Sequence, residues 1–174
     1  MSLYTPSITN QQILDDPKQR WKTICLDYRI WENPTQMIET FNPNWLEIPF
    51  QQSNISKMPN TQGIYMFILK PSNANLVNNQ NRHILYIGQT KNLQKRFGQY
   101  FHYEHSDLPS DQLKRIMVLL WKEKLSFHYF ETNNVTKEDL TTLEFDLIDM
   151  IIPPMNDRFR ADSVKQHVKL YSPR

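Results

Sequence analysis

Two periodicities organise the apolar positions of this chain. Residues Leu125 to Glu131 alternate with the period of two of a half-buried strand, while Leu140, Leu143, Leu147, Ile148 and Ile151 recur at the spacing of one helix face. Apolar runs at Ile64–Leu69 and Ile84–Ile87 read as two strands joined by a polar, asparagine-rich loop from Pro71 to Arg82, a long-looped hairpin. A helix is predicted from about Lys91 to Tyr103, with Leu93, Phe97 and Phe101 inward. A second spans about Asp111 to Glu123, with Leu113, Ile116, Met117 and Leu120 on one face. Thr136 begins the last helix, with Glu138 and Asp139 in the first turn where the helix dipole favours them, and Pro153-Pro154 ends it. The order is β-β-α-α-β-α. It predicts an α/β (α+β) domain with a small three-stranded, mainly antiparallel sheet flanked by helices.

Upstream the pattern changes. Asp16-Pro17 and Asn33-Pro34 each place a capping residue before a proline, so a helix is predicted from each. The first would carry Trp21, Ile24, Cys25, Tyr28 and Trp31 at helical spacing, and the second Met37, Ile38 and Phe41. Asn42-Pro43, Pro49 and Pro59 then break the chain into turns. Residues 1–57 therefore read as a helical extension packed on the main domain, residues 58–157 as that domain, and residues 158–174 as a basic tail. No internal repeat is present.

A length of 174 residues suits one domain able to bury a core. The longest apolar runs, such as Ile116 to Trp121, are too short to span a bilayer, and Met1 to Asn10 lacks the features of a signal peptide. A single cysteine, Cys25, forms no internal disulfide and points to a reducing, cytoplasmic setting without membrane association. No Cys/His cluster has zinc spacing. Charge is unevenly spread. Residues 82–124 carry eight Lys/Arg against four Asp/Glu, and residues 157–174 carry five against two, whereas residues 125–156 carry one against six. The basic middle and tail suit a polyanion, or are a solvated surface.

Chemistry concentrates around the scarce glycines. Of three, two stand in the matched tripeptides Gly63-Ile64-Tyr65 and Tyr86-Ile87-Gly88, each within a predicted strand, where backbone can approach a ligand closely; the third is Gly98. On the next helix Arg96 and Tyr100 fall four residues apart on the apolar side, so the arginine either snorkels outward or faces an anion. On the last helix Glu144 projects from the apolar stripe, while Asp146 and Asp149 are placed on the opposite side. A buried carboxylate needs a salt bridge, with Arg96 a candidate partner, or a divalent cation.

These elements together resemble the GIY-YIG nuclease family: two tyrosine-bearing tripeptides, a helical arginine with an aromatic residue four positions on, a glutamate on a later helix, and an asparagine after it. Arg96 and Tyr100 match the pattern of the family's nucleotide-excision-repair branch, and Glu144 and Asn156 match the glutamate and asparagine in type and spacing. The resemblance covers about residues 58–157. It implies the GIY-YIG fold and a Mg²⁺- (or Mn²⁺-) dependent endonuclease hydrolysing phosphodiester bonds in DNA. Restriction or defence, mobile-element and repair settings all use the module. An RNA endonuclease and a non-catalytic nucleic-acid-binding subunit are the alternatives.

In that reading Tyr65, Tyr86, Arg96, Tyr100, Glu144 and Asn156 form the catalytic set. Glu144 holds the metal, Tyr86 is the general base, and Asn156 braces the site. Gln89, Lys91, Lys95, Lys114, Arg115, Arg158 and Arg160 are the candidate nucleic-acid contacts. A single site implies a homodimer wherever both strands of a duplex are cut. Two departures from the family pattern stand out. The interval between the tripeptides is long, which a hairpin loop absorbs at little cost. Gln89 also stands where many members carry a lysine, and it brings no charge to a phosphate; Lys91 is the candidate substitute.

Overall fold

The computed structural model describes residues 9–16, 31–70 and 82–171. The helix predicted from Asp16-Pro17 and the hairpin loop at 71–81 lie outside the described residues. The elements in chain order are α1 (Asn10–Asp15), α2 (Gln36–Phe41), β1 (Leu46–Pro49), β2 (Gly63–Leu69), β3 (His83–Thr90), α3 (Leu93–Gln99), α4 (Gln112–Trp121), β4 (Leu125–Glu131), α5 (Lys137–Ile151) and α6 (Asp162–Tyr171). A 3₁₀ segment, Tyr100–His105, continues α3.

The sheet is antiparallel and four-stranded, in the order β1-β4-β2-β3. The expected three strands are joined by β1, which pairs Ile48 with Phe127 and Glu47 with His128. The sequence offers only the short Leu46-Glu47-Ile48 alternation here, and Leu46, Glu47 and Pro49 are exposed with only Ile48 half-buried. Backbone pairing on β4 makes the strand, and Pro49 is tolerated because it ends an edge strand.

β2 lies inside the sheet, with six of its seven residues buried. Its odd-numbered side chains Tyr65 and Phe67 pack with Phe127, with Leu93, Phe97 and Tyr100 of the α3 region, and with Ile116 and Met117 of α4. Its even-numbered residues Ile64, Met66 and Ile68 pack on Leu140, Leu143, Leu147 and Ile148 of α5, with Met37, Ile38 and Phe41 of α2 at the margin. A bulge in the β2–β3 ladder pairs Phe67 with Tyr86 and Ile68 with Ile84, leaving Leu85 as the extra residue. Leu85 and Tyr86 can then both face the first core.

Local capping follows the sequence closely. Thr136 accepts from the Asp139 N–H at the start of α5, and Ile152 ends that helix in the left-handed region before Pro153. Asn92 caps α3 by accepting from the Lys95 N–H at 2.7 Å. Helix α2 starts two residues later than expected, with Thr35 rather than Asn33 as its cap.

The far side of α5 departs from the sequence reading. Asp146 and Asp149 are both buried. The Thr35 hydroxyl donates to Asp146 at 2.6 Å, and the Arg160 guanidinium pairs with the same carboxylate. Asp149 accepts from the backbone N–H groups of Arg160 (3.0 Å) and Ala161 (2.7 Å). The acids are thus covered by α2 and by the segment entering α6, and they fasten both to α5.

Candidate active site

Strand β3 is one edge of the sheet, and residues from α5 and the turn after it satisfy its outward groups. The Met155 N–H donates to the Leu85 carbonyl at 2.9 Å. The Ile87 N–H donates to Asn156 Oδ1 at 2.9 Å, and Asn156 Nδ2 returns a bond of 2.9 Å to the Ile87 carbonyl. The Gln89 N–H donates to Glu144 Oε1 at 3.1 Å. The alternate residues Leu85, Ile87 and Gln89 are therefore gripped, and Tyr86, between two gripped positions, is half-buried. A buried edge without such partners would leave unpaired backbone groups costing about 1–3 kcal/mol each.

On the same face of the sheet, Tyr65, Tyr86 and Tyr100 form a cluster with ring centroids 6.0 to 6.3 Å apart. The hydroxyls of Tyr65 and Tyr100 share a buried hydrogen bond of 3.1 Å. Gly88 stands opposite Tyr65 in the ladder, and a Cβ there would fall on the Tyr65 hydroxyl. A Cβ on Gly63 would fall on the Phe130 carbonyl. Neither glycine has a positive φ. The close approach that the sequence suggested for a ligand is instead made by the protein's own ring and backbone.

Arg96 rises from α3 into this cluster. Its Nε is buried and has no hydrogen-bond partner among the described residues. Burial disfavours its charge, but Tyr65, Tyr100, Tyr103 and Tyr86 together outweigh that and hold its pKa above the ordinary value. The converse also holds: any of these phenols that ionises does so beside a fixed positive charge.

Burial pushes the Tyr65 and Tyr100 hydroxyls well above the usual tyrosine range. Burial also raises Tyr86, with the Glu144 carboxylate adding to it and the Tyr100 hydroxyl and Arg96 opposing it. Glu144 is raised to about 7 by burial, against the Gln89 N–H and Arg96. No ion pair joins Glu144 to Arg96 among the described residues, so the salt-bridge explanation of this carboxylate fails. A proton, held up to about pH 7, or a bound cation could each relieve the burial of this carboxylate. The described residues hold no cluster of three or more His, Cys, Asp or Glu side chains suited to a metal. A cation here would rest on one carboxylate and on water, which suits Mg²⁺.

Tyr86, Glu144 and Asn156 line a cleft of about 410 Å³ whose rim includes Lys114 from α4 and Arg158 from the turn before α6. Lys114 lies 3.5 Å from Asp111 and 5.1 Å from the centre of the Tyr103 ring. Lys91 and Lys95 are exposed at the start of α3 and are not among the residues of this cleft. Arg115 and Arg160 are engaged elsewhere. Arg115 donates to Asn10 from its Nε at 2.8 Å, and Arg160 pairs with the buried Asp146. Gln89 directs its amide to Thr141 Oγ1 at 3.3 Å.

Tyr103 was missed by the sequence reading, yet its spacing from Arg96 and Tyr100 continues the same helical face. Thr141 was missed too, and nothing in its local sequence marks it.

A phenol cluster around a half-buried arginine lies beside a cleft that holds Tyr86, a lone carboxylate and a basic rim, an arrangement suited to cleaving a phosphodiester. Residues 62–150 match the family described as the GIY-YIG catalytic domain, and the chain belongs to that family. It is similar to UvrABC system protein C of Helicobacter pylori, at 29% identity over 117 residues, 67% of this chain and 18% of that protein. The proteins of the same name from Caldicellulosiruptor saccharolyticus (29% over 119 residues, 68% of this chain and 17% of the relative) and Aliarcobacter butzleri (27% over 117, 67% and 17%) are similar to it as well. The chain thus spans under a fifth of the length of these relatives. No solved structure matches it. Among the described residues no helix is long and apolar enough to cross a membrane.

Proposed function

We propose that this domain is a divalent-cation-dependent endonuclease acting on DNA, with Glu144 holding the cation and Tyr86 serving as general base. The observation that carries this reading is Glu144 itself. It is a half-buried carboxylate raised to about 7, with one backbone donor and no ion-pair partner among the described residues, set in the same cleft as Tyr86. The Arg96 and Tyr100 pattern shared with the family's nucleotide-excision-repair branch favours DNA over RNA as substrate.

The residues divide the reaction as follows. Tyr86, as the phenolate, takes the proton of an attacking water. The water oxygen bonds to phosphorus as the opposite P–O bond breaks, and the leaving oxygen departs with the electron pair. A phenol ionises near ~10 in water, and burial and Glu144 raise Tyr86 further, so Arg96 and the Tyr100 hydroxyl are needed to favour the phenolate. A divalent cation (Mg²⁺ or Mn²⁺) on Glu144 would cancel that carboxylate's influence on Tyr86 and offset the negative charge building on the phosphate. Arg96 stabilises the same developing charge with guanidinium donors, and Tyr65 fixes Tyr100 through their shared bond. Asn156 holds the Tyr86 strand in place, and Lys114 and Arg158 meet flanking phosphates.

A cleavage survey over matched duplex, branched and single-stranded DNA and RNA tests this, with Glu144→Gln as control. The expected result is Mg²⁺-dependent cleavage of DNA that the variant loses while still binding. Cleavage confined to RNA would overturn the substrate assignment, and a fully active Glu144→Gln would overturn the role of Glu144.

A further inference from the structure

We infer that Gln89 and Thr141 form a clasp that sets the position of Glu144, making Thr141 a positioning residue for the cation. This rests on the reading of Glu144 as the cation ligand. Gln89 grips α5 twice: its N–H donates to Glu144 Oε1 at 3.1 Å, and its side-chain Nε2 donates to Thr141 Oγ1 at 3.3 Å. Thr141 precedes Glu144 by three residues, so both contacts fall on one helix face, about one turn apart. These two contacts add to the packing of Leu140, Leu143, Leu147 and Ile148 on the sheet and set the orientation of the Glu144 side chain locally.

The donor pattern is consistent. The Thr141 hydroxyl has one proton, and it goes to the Lys137 carbonyl at 2.8 Å. That leaves the Thr141 oxygen as an acceptor toward Gln89, which in turn must present its amide nitrogen. The Gln89 amide is thereby oriented by Thr141, with its second N–H left to donate elsewhere. Since Gln89 holds Glu144 Oε1 through its N–H, the clasp leaves Oε2 as the oxygen available to a cation. Groups that orient a ligand in this way typically change metal affinity by roughly 10- to 100-fold when removed.

The variant Thr141→Val keeps the shape and deletes the acceptor, while Thr141→Ser keeps the hydroxyl. Mn²⁺ binding is measured on the whole chain without nucleic acid, by water-proton relaxation, alongside the Mg²⁺ concentration giving half-maximal cleavage and the melting temperature. Thr141→Val is expected to weaken Mn²⁺ binding about tenfold and to raise the Mg²⁺ requirement by a similar factor, with Thr141→Ser close to wild type. Glu144→Gln should abolish Mn²⁺ binding. If Glu144→Gln binds Mn²⁺ normally, the ligand assignment fails and the clasp with it. If Glu144→Gln loses Mn²⁺ but Thr141→Val keeps wild-type affinity, whatever its melting temperature, the clasp alone is refuted.

Discussion

Asn156 closes a two-point bond on Ile87, accepting from its N–H and donating to its carbonyl, both at 2.9 Å. An amide side chain here substitutes for a neighbouring strand at the outer edge of β3. Only a group with one donor and one acceptor in this geometry can do so. Asn156→Asp keeps the acceptor but sets a carboxylate oxygen against the Ile87 carbonyl. It is expected to cost about 1–3 kcal/mol, a fall of roughly 2–4 °C per kcal/mol in a chain of this size. Scanning calorimetry checks this, and an unchanged melting temperature would mean that the edge does not depend on the amide.

Glu144 gives stability a distinctive pH dependence when divalent cations are chelated. Its pKa in the folded state is about 7, above the ordinary carboxylate value. Between those two values the folded state keeps a proton that the unfolded chain has lost, so stability falls as pH rises through this window. The full loss is reached above about pH 7 and is on the order of 3 kcal/mol, from the size of the shift at ~1.36 kcal/mol per unit. Glu144→Gln should therefore melt higher than wild type at pH 8 in EDTA and show no advantage near pH 4.5. An advantage of equal size at both pH values would contradict the raised pKa.

The two non-helical glycines are held by packing, and the third is not. Gly88→Ala drives a methyl into the Tyr65 hydroxyl and against the Tyr86 ring. Because Tyr65 is almost wholly buried, the cost is expected near ~3 kcal/mol. At Gly98, inside α3, a Cβ would meet the Ile55 methyls at no less than 3.8 Å, which is ordinary contact. Gly98→Ala should stabilise by about 0.5–1 kcal/mol. Denaturant melts of the two variants would expose an error if their signs agreed.

The basic residues separate into two groups. Lys114→Ala and Arg158→Ala, at the cleft rim, should weaken binding to non-cognate DNA and each lower the salt slope by about one. Arg115→Ala and Arg160→Ala instead remove partners of Asn10 and the buried Asp146. They should lower the melting temperature and leave the salt slope unchanged. Titrations over a range of salt concentrations distinguish the groups, and a reduced slope for Arg160→Ala would show that its bond to Asp146 yields to phosphate.

One carboxylate and one base can attack one strand in one orientation. A monomer should therefore nick supercoiled plasmid before linearising it, and concerted double-strand cleavage would need two chains, for which two-fold dimers are the common arrangement. Following plasmid forms over time alongside the solution mass tests this. Direct linearisation by a strict monomer would rule it out.

The strands β2 and β4, helix α5 with its Thr136 cap, and the alignment of Arg96 with Tyr100 were legible in the sequence. Each rests on interactions within a few residues or on a periodicity that burial imposes locally. Tertiary structure alone decided what those elements meet. β1 is too short for its Leu46-Glu47-Ile48 alternation to stand out, and it exists because β4 offers it a backbone ladder. Asp146 and Asp149 sit on what the helical wheel marks as the polar side, yet Thr35 and the Arg160–Ala161 backbone cover them. The glycines were evident from composition, but only the ladder register set Tyr65 against Gly88. Likewise the type and order of Glu144, Gln89 and Asn156 could be read from the chain, whereas their bonds span 55 to 69 residues. Hydrogen bonding over such separations leaves no local periodicity, because each partner satisfies its own element's pattern equally well whether or not the other is there.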